Sequence, residues 1–206
     1  ARDLVAAVKA HFPGVTLQGC SSSGGISPAG AIDRGLVAIA FPRRGFRIVS
    51  DVLTRIDCLD VARTATAVRS LRRQLDQIRV DPVPGSQFAL SLIDALSNAE
   101  ETVVSAVAWA LDGIPLVGGS AGDDLAFSGT VLIHQCEVHT NAAVLILVDT
   151  DFPLRIFKSD NFDPTSQNFV VTSASDASRR VYELISEPAA RYFAMPVALA
   201  PEHLSP

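Results

Sequence analysis

Lysine is almost missing from this chain of 206 residues: 15 of its 17 basic residues are arginine, and Lys9 and Lys158 are the exceptions. The formal net charge is -5. Nucleic-acid binding, whose affinity rests on Lys and Arg neutralising phosphates, does not fit this balance. The densest run of cations, Arg63, Arg69, Arg72, Arg73 and Arg79, reads as the solvated face of a helix. Cysteine is also scarce. Cys20, Cys58 and Cys136 are an odd number without CxxC spacing, which speaks against a disulfide framework or a thiolate zinc site and fits a reducing, cytoplasmic setting. No apolar run approaches the roughly 20 residues of a spanning helix, and the first residues lack a signal-peptide core, so no direct membrane insertion is expected.

What is abundant is apolar sequence. At 48% hydrophobic and 19% charged residues, the chain has enough for one sizeable core or two small ones. Ala1 already stands inside a helical pattern without an initiator methionine. Pro196, Pro201 and Pro206 mark residues 196–206 as an irregular tail. The chain therefore reads as a piece of a longer polypeptide.

Residues 2–12 put Leu4, Val5, Val8 and Phe12 on one helical face, and Pro13-Gly14 stops that helix. A short strand, VTLQG, then runs into the glycine-rich loop CSSSGGISPAG. LVAIAF (36–41) and FRIVSDVL (46–53), separated by PRRG, carry a hairpin signal. Asp60 offers an N-cap for a helix to about Ile78, and DPVPG (81–85) breaks the chain. FALSLIDAL (88–96) is too apolar for a half-exposed strand and belongs in the middle of a sheet. Asn98 starts a second long helix, with Glu100 and Glu101 where the dipole favours anions, and Gly113 ends it. IPLVG returns as a strand.

GTVLIHQ and NAAVLILV read as a hairpin, followed by strands at PLRIFK, NFVVTSA and RRVYELI and a short helix at EPAARYFA. Short strands with no room for helices between them imply antiparallel neighbours. The expected fold is α/β with a mixed, largely antiparallel sheet flanked by helices, compatible with an αββα layering.

The stretches VTLQGCSSSG (15–24) and IPLVGGSAGD (114–123) share one pattern, each leaving a strand after a helix. Two such loops could face each other across one cleft. Gly118 to Gly122 also match G-x-S-x-G, but the nucleophile serine of that motif needs a helix directly after it, and β-type sequence follows Ser120. Neither loop is a phosphate-binding pattern, and Asp123 and Asp124 would repel a phosphate. His134 and His139 flank Cys136 and Glu137 on a hairpin. Strand alternation there turns His139 away from His134 unless the turn intervenes, so ordinary polar residues are expected rather than a metal site. Small hydrogen-bonding groups are dense in both loops. Amides and hydroxyls beside two carboxylates suit a small polar or zwitterionic ligand, the amides taking its carboxylate and the carboxylates its amine.

LQGCSSSGGISPAG, IPLVGGSAGDDLAF and NFDPTSQNFVVTSASDASRRVYELISEPAARYFA together resemble the FIST family, a ligand-sensing domain of bacterial signal transduction. The ten residues Pro115 to Asp124 are the most specific part of the match. The resemblance implies a non-enzymatic sensory domain with its ligand, an amino acid or similar small molecule, at Gly19, Cys20, Ser21, Ser22, Ser23 and Gly24 and at Gly118, Gly119, Ser120, Gly122, Asp123 and Asp124. It implies output through a histidine kinase, a cyclic-di-GMP enzyme or a chemoreceptor. Its domain division places the N-terminal sensing domain at 1–150, lacking a first strand, and the start of the C-terminal domain at 151–195.

One branch resembles haem-based nitric oxide sensors. Haem is therefore an alternative, with His134, His139 or Tyr192 as candidate ligands, since Asn161 stands where relatives carry a histidine. Gly25 and the Ile185-Ser186 pair also depart from the family pattern, which has Glu and Asn-Gly there. A serine hydrolase using Ser120 is the lower alternative.

Overall fold

The structure is a computed structural model that describes residues 1–33, 35–79, 83–124, 126–158, 162–176 and 178–194. The expected tail at 196–206 and Asn161 lie outside the described residues. The chain divides into two compact units, 1–156 and 157–206. The first runs α1 (Arg2–His11), β1 (Gln18–Cys20), β2 (Gly25–Ser27), β3 (Gly30–Ile32), β4 (Phe46–Thr54), α2 (Val61–Ile78), β5 (Gln87–Asp94), α3 (Glu100–Leu111), β6 (Leu116–Ala121), β7 (Leu132–His134), β8 (Glu137–His139) and β9 (Ala142–Thr150). The fold is of the expected class, mixed α/β with mostly antiparallel sheets.

Four strands in the order β4-β9-β5-β6 form the main sheet. β9 is antiparallel to both neighbours, and β5 and β6 run parallel. All nine residues of β9 are buried, because each of its faces meets a core. On one face Ala143, Leu145 and Leu147 join Leu53, Ala89 and Ile93 under α2 and α3. On the other, Ala142, Val144, Ile146 and Val148 pack with Leu132 and, at the margin, Cys20, Phe46, Phe88, Leu90 and Leu92. A strand apolar throughout 142–148 needs both faces covered. The second cover comes from a three-stranded sheet, β1-β7-β8.

α2 forms where Asp60 caps it, its carboxylate accepting from Arg63 N at 3.0 Å. Its buried stripe, Thr64, Ala65, Val68, Leu71 and Leu75, has helical spacing and lies on the sheet. Beyond its end, Arg79 Nε sits 2.9 Å from Asp149 Oδ1 without hydrogen-bond alignment. Arg47 donates to Asp149 Oδ2 at 3.1 Å, and Ser86 donates to Asp149 Oδ1 at 2.7 Å. The buried Asp149 thus ties β4, β9 and the chain after α2 together.

Three expectations are corrected. LVAIAF does not form a hairpin with β4: residues 36–41 are exposed and outside any strand, and β4 pairs with β9 over nine residues. β9 offers a longer partner with both faces apolar, and that burial outweighs the proximity of PRRG. Residues 132–134 do not pair with β9 either, since β7 turns onto β8 and lies between β8 and β1. PLRIFK is not a strand over its described residues.

The second unit holds an antiparallel sheet of β10 (Val171–Ser175), β11 (Arg180–Leu184) and β12 (Glu187–Pro188), then α4 (Ala189–Ala194). Ile185 and Ser186, at the position where the family pattern has Asn-Gly, both take positive φ, 51° and 61°. A β-branched residue there is strained.

Asp149→Ala removes the buried carboxylate and the acceptor of Ser86, and leaves Arg47 with Asp151 and Arg79 with Asp76 as exposed partners. Urea unfolding should show a lower midpoint than for the parent chain. Asp149→Asn, which keeps an acceptor for Ser86, should lose less.

Candidate functional site

β5 and β6 leave the sheet side by side in the same direction, so their carboxyl ends, Asp94 and Ala121, lie together. This is the edge of an α/β sheet where ligands characteristically sit. The second glycine loop continues from β6, and the first follows β1. The structure brings them into direct contact: Gly122 N donates to Ser21 O at 3.1 Å, and Asp124 N donates to Ser23 Oγ at 3.1 Å. The expectation of two loops facing each other across a cleft is corrected to loops that touch.

Two of the glycines exist for packing. A Cβ on Gly118 would stand 2.0 Å from Ser91 O, and one on Gly122 would stand 2.3 Å from Ser23 Oγ. A side chain at either would push apart the strands or the loops. Around Gly19 and Gly119, by contrast, a Cβ would meet nothing within 4 Å. These two open positions are where a ligand can approach the backbone closely.

The serines divide in the same way. Ser21 N donates to Val131 O at 2.8 Å, and its Oγ accepts from Val131 N at 3.0 Å, stitching the first loop to the strand-entry segment. Ser22 Oγ donates to Gly24 O within its own turn. Ser120 is on β6 rather than at a strand-to-helix elbow, and its Oγ donates to Glu100 Oε1 at 3.3 Å in the first turn of α3. That placement removes the geometry a nucleophilic serine needs. Burial pushes the Cys20 thiol above its ordinary range, so it stays protonated at neutral pH.

Asp123 does something the sequence reading did not assign. Its Oδ1 accepts from Phe127 N at 3.0 Å, and its Oδ2 accepts from Ser128 N at 2.6 Å and Gly129 N at 3.0 Å. These amides, Gly129 first and then Ser128, hold its carboxyl below the usual range. The carboxylate shapes its own loop. Asp124, exposed and at φ 61°, is the carboxylate on the outer side.

Asp94 was missed as well. Buried at the end of β5, it accepts from Leu96 N at 2.9 Å and Asn141 N at 2.7 Å and from the Thr130 hydroxyl. The available signal was an acid closing an otherwise apolar central strand.

His134 and His139 prove to share a face. The two-residue turn Gln135-Cys136, at φ 48° and 63°, puts Glu137 opposite His134 and His139 opposite Leu132, so both rings point into the layer between the sheets, 6.3 Å apart. Gln18 Nε2 donates to Ser50 Oγ at 2.8 Å, and the same Oγ lies 3.1 Å from His134 Nε2. His139 Nε2 is buried without a hydrogen-bond partner.

His134 does not fit haem ligation. His134 is 8% exposed and committed to Ser50, while Tyr192, in the second unit, stacks edge-on against Phe169. Among the described residues no group of three His, Cys, Asp or Glu could hold a metal ion. One cavity of about 230 Å³ lies between the end of β4 and the start of α2, and another of about 470 Å³ between α2 and α3. Neither is lined by a glycine-loop residue.

This α/β unit carries paired glycine loops at the end of a parallel strand pair. The FIST N domain family model matches residues 1–186, and the chain belongs to that family, whose members are sensory domains of signal transduction. Neither a curated protein nor a solved structure matches the chain significantly. Among the described residues no helix is long and apolar enough to cross a membrane.

Two outcomes are expected. Asp123→Ala should speed amide exchange at Phe127, Ser128 and Gly129, about tenfold or more, while β5 and β9 stay protected. Burial lowers the His134 pKa below 6.5, against the raising effect of Ser50 and Asp51. As pH falls through 6.5 the unfolded chain takes up this proton first, so stability is full above that pH and declines below it. His134→Gln should flatten that decline in urea titrations run from about pH 7 to 5.

Proposed function

We propose that the chain is the ligand-receiving domain of a cytoplasmic signalling protein and that its ligand is an amino acid or a similar small polar molecule. The observation that carries this is the junction of the two glycine loops at the carboxyl ends of β5 and β6, where Gly19 and Gly119 leave backbone open to close approach. Backbone at the open positions Gly19 and Gly119 is the partner for the ligand's carboxylate, since the amides of Ser21, Gly24 and Gly122 and the Ser120 hydroxyl already donate within the loops and to Glu100. Asp124 is the partner for its amine, and Asp123 holds the loop that presents Asp124. Cys20 and Ser21 to Ser23 form the facing wall. Residues 1–150 are the sensing part, and 151–195 begin a second domain that passes occupancy to a histidine kinase, a cyclic-di-GMP enzyme or a chemoreceptor.

This arrangement does binding and no chemistry. Ligand that meets only the folded state stabilises it in proportion to the logarithm of its concentration over Kd. A thermal-shift screen against the amino acids and their common derivatives should therefore give a concentration-dependent rise in Tm. Gly119→Val fills open space without a clash, so it should leave the unliganded Tm nearly unchanged and abolish the rise. A rise that survives Gly119→Val places the ligand elsewhere, and no rise with any compound of this class rejects the ligand assignment.

A further inference from the structure

α2 and α3 lie side by side on one face of the main sheet. β4 and β5 are both antiparallel to β9, and β5 and β6 are parallel, so the two connecting helices run in the same direction. Arg72 fixes their relative level: its Nη1 donates to Ala110 O at 3.1 Å, and its Nη2 lies 3.5 Å from Asp112 Oδ2. Three residues earlier on each helix, Arg69 is therefore level with Trp109.

The outer sides of the two helices differ. α2 follows the amphipathic rule, and its exposed positions include Arg63, Arg69 and Arg73. α3 departs from it. Val104 is 41% and Trp109 70% exposed, the latter the one tryptophan in the chain. Trp109 stands at the cavity of about 470 Å³ between the helices, which Val61, Ala106 and Glu101 also line. Val61 is itself 50% exposed. An aromatic ring left in water beside an open, partly apolar groove marks an interaction surface, and tryptophan and arginine are the residues that most often dominate such surfaces.

The charges indicate what covers it. α2 supplies a cationic rim through Arg69 and Arg73, and α3 an acidic one through Glu101 and Asp112. A partner must then carry acid over α2 and cation over α3. The chain carries that pattern itself. A two-fold axis along the groove, parallel to both helices, lays α3 of each copy over α2 of the other and keeps every level. Asp112 of one copy then meets Arg73 of the other, the residue after the Arg72 with which Asp112 is level in its own chain. The Trp109 ring meets the Arg69 guanidinium, a cation over an aromatic face. A two-fold perpendicular to the helices would instead lay α2 on α2 and oppose arginine to arginine.

We propose that the groove between α2 and α3 is a homodimer interface, covered by a second copy of this chain in the parallel arrangement. Trp109 is its anchor, leaving water for the groove and for Arg69 of the second copy. Arg73 and Asp112 select the pairing of unlike helices. The interface is isologous, so each contact occurs twice. The inference does not depend on the ligand reading.

The test is sedimentation of the whole chain from about 1 to 100 μM, with tryptophan emission read on the same samples. Expected are a monomer to dimer transition and a blue shift of Trp109 emission that follow one concentration dependence. Trp109→Ala, at an exposed position, should leave the Tm of the monomer unchanged and raise the dimer Kd about tenfold or more. Arg73→Glu and Asp112→Lys should each dissociate the dimer while their monomers stay folded by circular dichroism. Mixing these two variants should restore a dimer, because both of its Arg73 and Asp112 sites again join unlike charges. A monomer at every concentration would overturn the proposal. So would a dimer whose Trp109 emission does not shift, since another surface then holds it. Dimerisation of Asp112→Lys with the parent's Kd, or a mixture that stays monomeric, would show that α2 does not rest on α3 of the second copy and would equally overturn it.

Discussion

Burial of β9 on both faces is the constraint on which the rest of the first unit depends. Nine consecutive residues from Ala142 to Thr150 are buried. Their alternation divides the hydrophobic material into a helix-facing core and a sheet-facing core. At roughly 1.5–3 kcal/mol for each fully buried Val, Leu or Ile side chain, no other strand offers as much. β4 pairs along its whole length for that reason and leaves its nearer sequence neighbour, 36–41, unpaired. Asp149, at the far end of β9, turns the same strand into an electrostatic anchor for the chain leaving α2.

At the other end of the sheet, the glycine loops show how much of a motif goes into building itself. Gly118 and Gly122 are required by the close approach of Ser91 and Ser23, Ser21 stitches two segments together, and the carboxylate of Asp123 is held by the amides of residues 127–129. On the proposed reading, open backbone at Gly19 and Gly119 and the exposed carboxylate of Asp124 are what a ligand would meet. A loop that supports itself keeps these groups in position before a ligand arrives, which lowers the ordering cost of binding.

Much of the fold was legible because its causes are local. The Asp60 cap and the stripe through Leu75 marked α2, and the unbroken apolar run marked β5 as a central strand. Strand pairing was not legible. LVAIAF-PRRG-FRIVSDVL carries a hairpin signal that is real as local chemistry, but the competing partner for FRIVSDVL lies about a hundred residues away in the sequence. The same held for His134 and His139. Strict alternation separates them, and the turn at Gln135-Cys136 restores them to one face because both turn residues take positive φ without a glycine to announce it.

The amino-acid sequence alone determined the class of fold, the two long helices, the identity of the glycine loops and the family to which the chain belongs, since each rests on residues close together or on a ten-residue motif. The tertiary structure decided which strands pair, that the two loops touch, and that Asp123 serves the loop while Asp124 faces outward. Those outcomes depend on which distant surfaces bury the most apolar area and on which donors a folded loop brings within 3 Å of a carboxylate. Neither quantity exists until the chain has closed on itself.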